Sequence, residues 1–440
     1  MATFTASSTL ITTQTLATDE TGTILASGGI VVGNALAINV AGTNTAIINL
    51  GSIVSARSVG ISASTTVTAL NITNTGTISG DQDAIRTAQG AAFNGLRINN
   101  SGLIIGTGIT ADGISCASGG NYITNSGTIT TLGQSAIQIL QSPNGAVPNI
   151  IENTGLISAS ADGDDATILL SFDQDTIRNS GKIIGWVEMG GGDDVFDGRG
   201  GVVTGYVWGG AGSDTYRISD AAIVLQEDAG LAGGIDLVES TVSYALVSNF
   251  EYLILLADAV AGIGNGLGNA LVGNSFDNRL TGLAGNDTMG GVAGNDLLRG
   301  GDGNDGLYGG LGDDILRGGN GNDILRGGAG ADNLIGGQGA DQFDFDLTSE
   351  SRRDEMDTIS LFARGQDDIN LTTIDAKTGV ASNQNFSFIG AAAFTAAGQV
   401  RIVDLGANVR VEVNTTGATG AEMVMMVVGV GTLTGSDFIL

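Results

Sequence analysis

Apolar positions along the chain fall into two periods. In the first half Asn-x-Gly-x-Ile recurs as NLGSI from Asn49, NTGTI from Asn74, NSGLI from Asn100, NSGTI from Asn125, NTGLI from Asn153 and NSGKI from Asn179. The intervals are 25, 26, 25, 28 and 26 residues, and most repeats continue to a second apolar stretch: VGISAS, DAIRTA, DGISCA, SAIQIL and DATILL. Repeats of this length predict coils of a parallel β-helix, each burying its apolar face against the next. Ile53, Ile78, Ile104, Ile129, Ile157 and Ile183 share one place in the motif, so stacking predicts an internal isoleucine ladder. The recurrent Asn is expected to cap a turn and to pair with the Asn above it, because its amide readily bonds local backbone. The 28-residue interval holds SPNGAVP with both prolines, Pro143 and Pro148, and predicts a loop bulging from one coil.

The second period is nine. Seven consecutive units run from Gly282 to Asp344: GLAGNDTMG, GVAGNDLLR, GGDGNDGLY, GGLGDDILR, GGNGNDILR, GGAGADNLI and GGQGADQFD. Position four is always Gly, and position six is always Asp: Asp287, Asp296, Asp305, Asp314, Asp323, Asp332 and Asp341. Position eight is always apolar, from Met289 and Leu298 to Phe343. Two weaker units, from Gly264 and Gly273, precede them with Asn at position six, and two isolated turns of the same type place Asp194 and Asp214. Glycine permits a left-handed turn backbone, while oxygen donors without nitrogen or sulfur suit Ca²⁺. Two nonapeptides make one 18-residue coil, so aspartates 18 apart stack about 4.8 Å from one another, within reach of a shared ion. Several calcium ions are therefore expected, held by the seven repeat aspartates and by Asp194 and Asp214.

These nonapeptides resemble the calcium-binding repeats of the RTX family. The resemblance implies a parallel β-roll that is largely disordered without Ca²⁺ and folds after export, metal binding then being folding free energy. Beyond the roll, the Asp357-Thr-Ile run, the segment from Gly365 to Leu371 and the final Asp437-Phe438-Ile439-Leu440 resemble the C-terminal domain of serralysin-type secreted proteins. An acidic residue followed by three apolar ones resembles the uncleaved type I secretion signal of that group. The segment from Gly233 to Asn274 resembles a spacer module between calcium repeats, and the N-terminal coils resemble the autotransporter-like β-solenoid passengers of bacterial surface proteins and adhesins.

Charge and composition sharpen this picture. Net charge is −29, with 46 acidic against 17 basic residues. Such a chain repels phosphate backbones and anionic membrane, and its compaction calls for bound cations. No stretch is apolar for long enough to span a bilayer, and the opening MATFTASSTLITTQ shows no basic-then-apolar signal peptide. Aromatics are only 5%, which suits thin cores built from stacked coils. The chain has no His, so neither an HExxH zinc site nor a Ser-His-Asp triad can form. Cys116 has no second cysteine to pair with and is expected inside a coil.

An epimerase- or lyase-type site would need a base and a charge neutraliser. Arg86 beside Asp81 and Asp83, Arg97 and Tyr122 are the candidates, but surface charge on a coil is the simpler reading. The His-bearing motif of alginate epimerases is absent. Catalysis is not expected.

The chain is thus expected to be all-β. A right-handed parallel β-helix over residues 1–208 and a linking β-module over 209–262 precede a calcium-binding β-roll over 263–344 and a small β-rich cap over 345–440. The expected function is a secreted calcium-binding structural protein, outside the cell or on the surface of a Gram-negative bacterium and exported by type I secretion. It would self-associate into fibres or a lattice, as a surface-layer, filament or matrix component. A calcium-dependent adhesin or polysaccharide-binding rod is the alternative, and a polysaccharide lyase or epimerase stands behind both.

Overall fold

A computed structural model describes residues 3–65, 67–88, 95–140, 147–160, 165–229, 233–378 and 384–440. Residues 142–146 of the expected SPNGAVP loop lie outside these. The chain divides into two compact units, Met1–Asp236 and Leu237–Leu440. Apart from one 3-10 turn, Gly435–Asp437, the regular elements among the described residues are β-strands.

In the first unit each coil contributes a strand to three parallel sheets. One coil, for example, runs through Leu70–Asn74, Thr77–Gly80 and Ile85–Thr87, and the next through Leu96–Asn100, Leu103–Gly106 and Ile114–Cys116. Equivalent residues of successive coils are in register: Ile53 pairs with Ile78, Ile78 with Ile104, Ile104 with Ile129, Ile129 with Ile157 and Ile157 with Ile183. All six are fully buried, so the isoleucine ladder of the sequence is the core of this face. Inward side chains are β-branched because a half-buried pleated surface packs such shapes best.

The motif asparagines form a second ladder beside it. Each Nδ2 donates to the Oδ1 of the next coil's Asn: Asn49 to Asn74 (2.7 Å), Asn74 to Asn100 (2.7 Å), Asn100 to Asn125 (2.7 Å), Asn125 to Asn153 (2.8 Å) and Asn153 to Asn179 (2.7 Å). The same amides also reach backbone carbonyls, as Asn125 Nδ2 does to Leu156 at 3.1 Å, so each buried polar turn is satisfied by its own side chain. Cys116 is fully buried, and burial pushes its thiol up to about 12.

In the second unit successive nonapeptides alternate between two parallel sheets. Thr288–Ala293, Gly306–Leu311 and Ile324–Ala329 lie in one, and Leu297–Asp302, Ile315–Asn320 and Asn333–Gln338 in the other. The register is i to i+18 throughout, as in Leu298↔Leu316↔Leu334 and Met289↔Leu307↔Leu325. These position-eight side chains are fully buried and form the thin core between the sheets. Position two carries glycine with positive φ in the later repeats but Leu283 (φ 88°) and Val292 (φ 82°) in the first two, a backbone that costs a branched side chain about 1–2 kcal/mol.

The unit closes with a meander. Gln399–Asp404, Asn408–Asn414 and Met423–Val428 are antiparallel, and the last pairs in parallel with Thr358–Ser360.

Candidate calcium sites

The nonapeptide builds its turn in two ways. The position-four glycines are left-handed, Gly321 at φ 129° for instance, and a Cβ on Gly321 would overlap the carbonyl oxygen of Gly303 one coil below. Only glycine serves at this point. The turn then carries the position-six aspartates inward, where all seven are 1–2% exposed.

Their two carboxylate oxygens have different tasks. Each Oδ1 accepts the backbone N–H of the aspartate one coil earlier. On one edge Asp287 donates to Asp305 (2.8 Å), Asp305 to Asp323 (2.8 Å), Asp323 to Asp341 (3.0 Å) and Asp341 to Asp367 (3.1 Å). On the other, Asp296 donates to Asp314 (2.7 Å), Asp314 to Asp332 (2.8 Å) and Asp332 to Asp357 (2.9 Å). Both ladders begin at an asparagine: Asn269 donates to Asp287 (2.7 Å) and Asn278 to Asp296 (2.6 Å). An outer ladder of position-five side chains runs the opposite way, as where Asn322 N–H donates to Asn304 Oδ1 at 2.8 Å.

The Oδ2 atoms of all seven repeat aspartates, and of Asp357, are buried and accept no hydrogen bond. A Cβ on Gly318, at position one, would overlap Asp323 Oδ2 and stand 2.6 Å from the carbonyl oxygen of Gly336. Gly291, Gly300 and Gly309 repeat this arrangement. Carboxylate and carbonyl oxygens therefore converge beside a bare α-carbon, an all-oxygen donor set that fits a hard cation such as Ca²⁺. None of the ion pairs among the described residues involves these seven aspartates. Burial accordingly raises their carboxyls, Asp287, Asp296, Asp332 and Asp341 to about 6, and Asp314 and Asp323 to about 7, with neighbouring aspartate charges adding to the effect. Asp305 moves in the same direction.

The first unit contains a ladder of the same design. Oδ1 atoms of Asn121, Asn149, Asp175, Asp194, Asp214 and Asp236 each accept an N–H from the coil before, at 2.6–3.0 Å. The side chain changes from amide to carboxylate along the stack while the hydrogen bond stays the same. Burial, reinforced by the neighbouring carboxylates, pushes Asp194 up to about 9; Asp175 rises to about 7 and Asp214 to about 6, burial again the main cause.

Asp175, Asp236, Asp357 and Asp367 escaped the repeat reading because their spacing is irregular. A signal did exist: Asp175, Asp194, Asp214, Asp287, Asp357 and Asp367 are each followed two residues later by a fully buried apolar side chain, respectively Ile177, Phe196, Tyr216, Met289, Ile359 and Ile369. The remaining candidates take structural places. Arg86 pairs with buried Asp83 in the third sheet. Arg97 lies 5.9 Å over the Tyr122 ring in the first, and Tyr122 donates to Glu152 at 2.8 Å. The terminal Asp437 is buried and accepts N–H groups from Thr434 (2.7 Å) and Gly365 (3.1 Å), while Phe438–Ile439 pairs with Ile369–Asn370 as the last strand of the roll.

Stacked parallel coils with an inward ladder of calcium-type aspartates define a calcium-binding β-solenoid. Residues 263–298, 291–316 and 308–343 match the family model of the RTX calcium-binding nonapeptide repeat, and these repeats bind Ca²⁺. No curated protein matches the chain. Among solved structures it is similar to two subunits of the mannuronan C5-epimerase of Azotobacter vinelandii. The AlgE6R3 subunit is 24% identical over 38% of this chain and 80% of its own, with a TM-score of 0.25. The AlgE6R2 subunit is 21% identical over 41% of this chain and 91% of its own, with a TM-score of 0.20. A likeness of this degree carries no argument about activity.

Proposed function

We propose that this protein is a secreted calcium-binding structural protein that folds on calcium outside the cell and associates there into a surface-layer, filament or matrix component. The observation that supports it is the stack of buried carboxylates at Asp287, Asp296, Asp305, Asp314, Asp323, Asp332 and Asp341, each with one oxygen bonded within the fold and one without a donor. Their charge opposes compaction until a cation arrives, so folding belongs where calcium is plentiful. Asp194 and Asp214 extend the same ligand role into the first unit.

A polysaccharide-binding rod is the second reading. It draws on one sheet that carries Arg97 and Tyr122 in one register row and Glu152 and Arg178 in the row two residues further along, an aromatic and charged group suited to sugar hydroxyls. A calcium titration followed by circular dichroism and light scattering tests both. Ordering with growth into large particles supports the assembling structural protein. Ordering as a monomer turns the choice to the sugar-binding rod, and no change in β-structure removes both.

A further inference from the structure

Where the coils of the first unit shorten to about 20 residues, as in the register Val187↔Val207, a carboxylate outside the aspartate ladder enters. Glu227 follows the strand Val224–Gln226, which pairs with Tyr206–Trp208. The Gly210 N–H donates to Glu227 Oε2 at 2.9 Å, and the Tyr216 hydroxyl donates to its Oε1. These two bonds aim Oε1 at the interior beside Asp214.

One carboxylate oxygen each from Asp214, Glu227 and Asp236 lie within 4.8 Å of one another, and all three residues are buried. Calcium takes oxygen ligands at roughly 2.3–2.6 Å, so oxygens gathered within that limit are close enough for one ion to draw together. Asp214 is 2% exposed, and its Oδ2 accepts no hydrogen bond. Gly209 shows where that oxygen points. A Cβ there would overlap Asp214 Oδ2, Tyr216 OH and Glu227 Oε1 together. Three oxygens from two segments, with the Asp236 carboxylate within 4.8 Å of the other two, gather about a place kept open by the absence of a side chain, with no nitrogen or sulfur donor among them.

We propose that Asp214, Glu227 and Asp236 form a calcium site of the first unit, distinct from the nonapeptide roll, with Glu227 as its added ligand and Tyr216 and Gly209 shaping it. The site rests on the reading of buried ladder carboxylates as calcium ligands. It departs from the repeat pattern because its glutamate comes from the segment that follows a strand rather than from a glycine turn. Bound there, the ion ties the segment around Glu227 to the coils carrying Asp214 and Asp236.

The test uses the full chain and terbium as the probe. Both tryptophans, Trp186 and Trp208, lie in the first unit, and Trp208 adjoins Gly209, so emission excited through tryptophan reports on this unit. The expected result is sensitised terbium emission that calcium displaces. Glu227→Gln should weaken binding by about tenfold or more, and Gly209→Ala should do the same by filling the space. Glu188→Gln, on the strand beside Trp208 but outside the cluster, should leave it unchanged. Hydrogen exchange supplies a readout without mutation: calcium should protect residues 206–229 of the wild-type chain.

Absence of emission, emission indifferent to Glu227→Gln in a folded variant, or no calcium protection of 206–229 would each overturn the site. If residues 282–344 still gain protection, the roll reading stands without it. If neither region responds, both fall.

Discussion

Replacing Asp323 by asparagine should change the stability of the roll in opposite directions with and without calcium. Asp323 sits mid-ladder: its Oδ1 accepts the Asp305 N–H at 2.8 Å, and its own N–H donates to Asp341 at 3.0 Å. Its Oδ2 is buried without a donor. Burial, with the Asp341 and Asp305 charges, raises its carboxyl from 3.8 to about 7. The folded state thus favours the protonated form, so this group's contribution to stability is complete below about pH 4 and is lost as pH rises through about 7. At about 1.4 kcal/mol per pH unit, the ionised carboxylate opposes the metal-free roll by up to ~4 kcal/mol at pH 8. An amide keeps the Oδ1 bond and removes the charge, at a cost of about 1–3 kcal/mol if Nδ2 finds no acceptor. Asp323→Asn should therefore stabilise the calcium-free roll at pH 8 by about 1–3 kcal/mol. In saturating calcium it should weaken the roll by at least about 1.4 kcal/mol, a tenfold loss at one site. Hydrogen exchange of peptides spanning 306–344, in chelator and in calcium, reads both signs. Destabilisation by the same amount in both conditions would refute the reasoning, since it would make the carboxylate a structural acceptor and nothing more.

Acidifying the calcium-free chain from about pH 8 to pH 5 should increase its β-structure by circular dichroism, because carboxyls raised to between about 6 and 9 take up protons on that path; with calcium bound, the signal should stay nearly flat. Gly318→Ala places a methyl on Asp323 Oδ2, whereas a Cβ on Gly290 would meet nothing within 4 Å; the first should cost about 1–3 kcal/mol and weaken calcium binding, and Gly290→Ala should do neither by calorimetric titration. Asn125→Ala removes the donor to Asn153 Oδ1 (2.8 Å) and the acceptor of Asn100 Nδ2 (2.7 Å); it should cost about 2–4 kcal/mol in a denaturant melt followed by tryptophan fluorescence, which reports the first unit.

The residue patterns alone determined the coil lengths, the isoleucine and asparagine ladders and the roll. Each follows from short-range chemistry repeated in register: Asn125 pairs with Asn153 because identical turns stack, and Leu316 meets Leu334 because two nonapeptides close one coil. The calcium-type aspartates were legible for the same reason, since a fixed spacing in sequence becomes a fixed spacing in space. Only the tertiary structure decided how the ladders continue once the period breaks. Asp357 and Asp367 carry on the stacks of Asp332 and Asp341 across intervals of 25 and 26 residues, and a backbone N–H finds the next carboxylate by proximity, whatever the length of chain between them. Glu227 joins Asp214 and Asp236 for a similar reason. Its place is set by strand pairing and by the open space beside Gly209, and no repeat in the sequence encodes that meeting.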